Sequence, residues 1–99
     1  LDIEAQLRVL GLLRRRAAAG CTVLLALHDL NLAARFCDHL VVLKQGGVAA
    51  EGAPAEVLTA ELLRDVYRVH ATVTRLGGSP HPHVVYDEAV GPGEPAKSD

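Results

Sequence analysis

The residues most able to do chemistry sit where an apolar run stops. Thr22 to Leu27 is a continuous apolar run, His28 and Asp29 follow at once, and a helical pattern opens at Leu30. A histidine at such a tip has three uses. It can cap a strand end and bond to a nearby carbonyl, it can ligate a metal, or it can donate a hydrogen bond to an anion and orient a water. In open parallel sheets, ligands bind beyond the carboxyl ends of the strands, which is the place His28 takes. From position alone the bland and the functional uses of His28 weigh about equally. Asp29 suits a helix N-cap better than a catalytic base, and Asn31 reads as a surface residue of the first helical turn.

Other candidates are weaker. His70, His81 and His83 invite a metal, but His81 and His83 flank a proline near a turn and no cysteine lies close, so solvated loop histidines are expected and no metal site is assigned. Cys21 and Cys37 are too few for a disulfide framework or a zinc site, and Cys37 reads as a small buried hydrophobe. Phe36, Tyr67 and Tyr86 are the only aromatic residues. They are expected in packing, not as a base-stacking platform.

The elements that must position His28 follow from periodicity. Asp2 can cap a helix from Ile3 to Ala19, with Ile3, Leu7, Leu10, Leu13 and Ala17 on one face. Glu4 and Arg8 form an i,i+4 pair, Arg14 to Arg16 complement the helix dipole, and Gly20 stops the helix. Thr22 to Leu27, apolar without alternation, predicts a strand buried on both faces of a parallel sheet. A short helix from Leu30 to Cys37 and a second strand from His39 to Lys44 would complete a right-handed βαβ crossover. Gln45-Gly46-Gly47 is turn chemistry, and Val48 to Glu51 returns as a hairpin partner. Ala55 to Leu58 is a helical turn. Thr59 caps a helix to Tyr67 whose inner stripe is Leu62, Leu63 and Val66. Ala71 to Leu76 and Val84 to Tyr86 can pair as a terminal hairpin, and from Glu88 the chain turns polar and rich in Pro and Gly, the composition of a disordered tail.

Composition bounds the class. The chain has 99 residues, 49% hydrophobic, with a formal net charge of -2. That is at most one small domain, too evenly charged for a nucleic-acid footprint and without an apolar run long enough to span a bilayer. No methionine occurs, which is the expectation for a piece of a longer polypeptide whose missing part lies upstream.

The stretch "VLLALHDLNLAARFCDHLVVLKQGGVAAEGAPAEVLTAELLRDVYRV" resembles the C-terminal half of the nucleotide-binding subunit of ABC transporters, a match that runs from Leu1 to about Val73. Its wording is most similar to the branch importing iron-siderophores, haem or cobalamin. The resemblance implies an α/β fold, the C-terminal part of a P-loop NTPase (RecA-like) parallel-sheet domain over 1–76; beyond it the residue pattern itself gives a small terminal β-hairpin over 77–87 and a disordered tail over 88–99. The resemblance places His28 on the family's switch histidine, which contacts the γ-phosphate of ATP. Leu1 and Asp2 look like the end of the D-loop, which reaches across a homodimer. ATP and Mg²⁺ are the implied cofactors. The implied partners are a second copy and membrane permease subunits, at the inner face of the cell membrane without direct insertion.

What is missing matters as much. There is no G-x-x-x-x-G-K-[ST] in the chain, hence no phosphate cradle and no P-loop lysine or Mg²⁺-binding hydroxyl. The family's Q-loop, signature motif and Walker B carboxylates would all precede Leu1, so these residues alone are expected neither to bind nor to hydrolyse ATP. A reading of another class is a non-enzymatic C-terminal module, with the region from Ala71 to Tyr86 as its working surface. A phosphate-binding motif encoded upstream would separate the two.

Overall fold

The computed structural model describes residues 2–93. Eight elements follow in chain order: α1 (Ile3–Ala18), α2 (Leu30–Phe36), β1 (Leu40–Lys44), β2 (Gly47–Gly52), α3 (Pro54–Val57), α4 (Ala60–Tyr67), β3 (Val69–Thr74) and β4 (His83–Ala89). The strands form two antiparallel two-stranded sheets, β1 with β2 and β3 with β4.

Local chemistry sets most of the boundaries. The Asp2 carboxylate accepts from the Ala5 amide at 2.8 Å and starts α1. Asp29 does the same for α2, accepting from Asn31 N at 2.9 Å and Leu32 N at 3.1 Å. Thr59 caps α4 through the Leu62 amide, and at the start of α3 the Glu56 carboxylate accepts from Ala53 N ahead of Pro54. Each such cap contributes on the order of 1 kcal/mol. Between β1 and β2, Gln45 and Gly46 both take positive φ, 51° and 79°, the two-residue turn whose twist matches a hairpin. Both hairpins carry a bulge. Ala49 is the extra residue opposite Val42 and Leu43, and Asp87 the extra residue opposite His70 and Ala71.

The core lies where α2, α4 and the terminal hairpin meet. Leu30 and Ala34 of α2, Leu58, Leu63 and Val84 form one buried cluster, with Leu40, Val69, Ala71 and Val73 packed against it. Leu63 is fully buried and Val84 nearly so. Helix α1 joins through Leu10 and through Arg14, which donates to the Phe36 carbonyl at 2.9 Å and lies 3.4 Å from the Asp38 carboxylate. One member of the expected basic helix end is therefore a tie between helices.

The strand expected over Thr22 to Leu27 does not form, and with it goes the βαβ crossover among the described residues. The segment is extended but has no neighbour to pair with, and an unpaired strand leaves its amides and carbonyls to water. Its burial alternates: Val23, Leu25 and Leu27 are half-buried, while Thr22, Leu24 and Ala26 face solvent. The parallel sheet inferred from that run is not formed among the described residues, whereas the two expected antiparallel hairpins are. The terminal hairpin is also longer than expected. Strand β4 continues to Ala89, past the start of the expected tail, and the tail from Glu94 onward lies outside the described residues, as does Leu1.

Candidate functional site

His28 sits on a bend between the extended segment and the N-cap of α2. Its position is set from the C-terminal side. Asp29 has extended backbone angles (φ -83°, ψ 109°) and its carboxylate closes the first turn of the helix. Asp29 is therefore committed to capping, as the sequence suggested. The His28 side chain is exposed, and among the described residues its ring makes no hydrogen bond or ion pair. The strand-end cap foreseen as the bland alternative is not what this imidazole does.

An exposed, unengaged imidazole fits a single contact to a phosphate or to a water beside one. It does not amount to a nucleotide pocket. The chain holds no glycine-rich phosphate loop, and no group of three or more His, Cys, Asp or Glu among the described residues could hold a metal ion. Asp2, the other candidate, is exposed at the start of α1 with its carboxylate engaged as the cap. No direct contact joins Asp2 to His28 among the described residues.

The remaining histidines have structural settings. His70 lines a cleft between α4 and the terminal hairpin with Glu61, Arg64, Asp65 and Asp87. His81 is half-buried, with the Ser79 hydroxyl 2.9 Å from its ring, and His83 is half-buried at the start of β4. Neither is the solvated loop residue that its flanking proline suggested. His39 pairs with Glu51 across the first hairpin at 3.3 Å. Tyr67 and Tyr86 are 41% and 52% exposed, at the surface and outside the buried core. Burial, and after it the charge of Asp29 and then Tyr67, raises the Tyr86 phenol above its ordinary 10.0.

Sequence reasoning missed Asn31. Its side-chain amide donates from Nδ2 to the Val84 carbonyl at 3.1 Å, and the Val84 amide donates to Asn31 Oδ1 at 2.7 Å. The two residues are 53 positions apart. No periodicity carries such a pairing, because the partner is backbone and any residue supplies it.

No family model matches the chain. Individual curated proteins do. It is 53% identical over 81 residues to the hemin import ATP-binding protein HmuV of Rhodopseudomonas palustris (strain CGA009), which covers 81% of this chain and 30% of that protein. The protein of the same name from Thermobifida fusca is 54% identical over 67 residues, 68% of this chain and 24% of its own length. That of Bordetella avium (strain 197N) is 56% identical over 64 residues, 65% and 23% respectively. The chain thus spans less than a third of the relatives it matches, and over most of its own length it is similar to part of hemin-import ATP-binding proteins.

Proposed function

We propose that this chain is the C-terminal part of the ATP-binding subunit of an ABC importer, and that the complete subunit couples ATP hydrolysis to uptake of haem or a related iron-siderophore or cobalamin-type solute. The observation that carries this reading is identity of 45 to 56% to proteins named for hemin import, sustained over 65 to 86% of the chain. In the complete subunit the extended segment from Thr22 to Leu27 is a strand of a parallel sheet, and His28 stands at its carboxyl end. The rest of the nucleotide site, including the phosphate cradle and the Mg²⁺ ligands, comes from polypeptide outside these residues.

Phosphoryl transfer asks a protein mainly for positioning and for charge stabilisation. His28 meets that need as a donor to the γ-phosphate that also orients the attacking water. Its ring has no competing partner among the described residues, which suits a group that must turn to a ligand. Asp2 holds the start of α1 at the end of the D-loop, which faces a second copy of the subunit. Two such subunits dock on membrane permease subunits at the cytoplasmic face. No described helix is long and apolar enough to cross a membrane itself.

Two measurements test the proposal. The reading frame extended upstream should encode a glycine-rich phosphate loop and the signature motif of the family. In the complete subunit, His28→Ala should lower ATP hydrolysis about a hundredfold, the usual loss when a donor to developing charge is removed. An unchanged rate would end the role assigned to His28.

A further inference from the structure

We infer that Asn31 is a positioning residue for His28: its side-chain amide clips the first turn of α2 to the outer edge of β4 and thereby fixes the bend that carries the imidazole. The inference rests on the role proposed for His28, and it adds a working part for the terminal hairpin, which otherwise has none.

The geometry is reciprocal. Asn31 donates to the Val84 carbonyl and accepts from the Val84 amide, so one planar amide satisfies both polar groups of one strand residue. On that edge of β4 it stands where a neighbouring strand would. Val84 is a firm anchor because its side chain is 2% exposed and belongs to the same cluster as Leu30 and Ala34 of α2. Both ends of the clip are therefore fixed to one core.

The link from Asn31 to His28 is short and runs through backbone. The Asp29 carboxylate accepts from the amides of Asn31 and Leu32, and the Asp29 carbonyl accepts from Ala33 N. Whatever holds Asn31 holds Asp29, and His28 is the next residue. Since the His28 ring has no side-chain partner among the described residues, its placement depends wholly on that backbone. Helix α2 also packs against β4 along this edge, so the first turn of the helix and the hairpin move together. Small displacements of a catalytic group are costly: a shift of about 1 Å can lower a rate on the order of a hundredfold.

The test uses the complete ATP-binding polypeptide, with kcat and KM for ATP measured for Asn31→Ala, Asn31→Asp and His28→Ala, and with hydrogen exchange followed at the Val84 amide. Asn31→Ala should lower kcat roughly tenfold with KM changed less than about twofold, as expected for a misplaced group instead of a lost binding contact. The Val84 amide should exchange faster in the same variant. Asn31→Asp keeps the acceptor for Val84 N–H and loses the donor, so its kcat should fall between those of Asn31→Ala and the parent. It also decides the matter if the alanine variant does not fold. A parental kcat in both Asn31 variants while His28→Ala is impaired would overturn the inference and leave the role of His28 standing. Parental activity in His28→Ala would instead remove the reading on which the inference rests.

Discussion

Cys37 illustrates how single residues in this chain take their character from what is packed beside them. It follows α2 directly, half-buried, with Asp38 next in sequence and the Arg14 guanidinium reaching over from α1. Burial pushes the thiol above its ordinary 9.0, Asp38 pushes it further, and Arg14 pulls the other way without winning. The folded state therefore holds the Cys37 proton more tightly than the unfolded chain does. Stability from this group is intact below pH 9 and is lost as pH rises through the raised value. Since the thiolate is the nucleophile, iodoacetamide at pH 7.5 should label exposed Cys21 first and Cys37 slowly, and the difference should vanish in denaturant. Equal labelling in the folded chain would contradict the burial of Cys37. At this scale the sequence was readable where a residue acts on its own neighbours. Asp2, Asp29 and Thr59 were identified as caps because a cap bonds two or three residues ahead. Asn31 was not, since its partner is the backbone of Val84 and lies beyond any local pattern.

Elements bounded by turn chemistry were the most legible. The Gln45-Gly46 turn was recognised from its glycine, and the structure makes it a hairpin turn with positive φ at both central positions. Gly46 takes φ 79° freely, but Gln45 at φ 51° meets the clash between Cβ and carbonyl that disfavours left-handed backbone in ordinary residues. Asn tolerates that region better, and Asn-Gly is the favoured pair for this turn. Gln45→Asn should thus stabilise the fold by on the order of 0.5 kcal/mol, a few degrees in melting temperature. A lowered melting temperature would show that the Gln45 side chain contributes more than its backbone costs. Thr22 to Leu27 is extended but unpaired among the described residues for a reason of the same kind. A continuous apolar run reports what the side chains avoid, whereas a strand also needs a neighbour for its backbone, and no neighbour is written in the run itself. Helices α1, α2 and α4 bond internally, so their periodicity was sufficient.

For the molecule as a whole, the apolar surface is the informative quantity. Leu24 is 96% exposed, and Val41, Leu43 and Val48 form a second uncovered patch on the first hairpin. Among the described residues ten hydrophobic side chains make up the buried core, and no polar or charged residue is buried with them. Apolar strands left open in this way are the usual starting points for edge-to-edge association. The proposed function explains them as surfaces that pack against the remainder of the subunit, and a single substitution separates that account from mere surface stickiness. In the 99-residue chain, Leu24→Lys should leave the unfolding free energy measured in urea within about 0.5 kcal/mol of the parent, because the side chain touches almost nothing, while light scattering at matched concentration should fall. On the proposed function the same residue sits inside a two-sided sheet of the complete subunit, so the charge must be buried, and the cost should reach roughly 3 kcal/mol or more. A neutral result in both contexts would mean that Leu24 faces solvent in the complete subunit too, and the parallel sheet proposed around Thr22 to Leu27 would then be wrong.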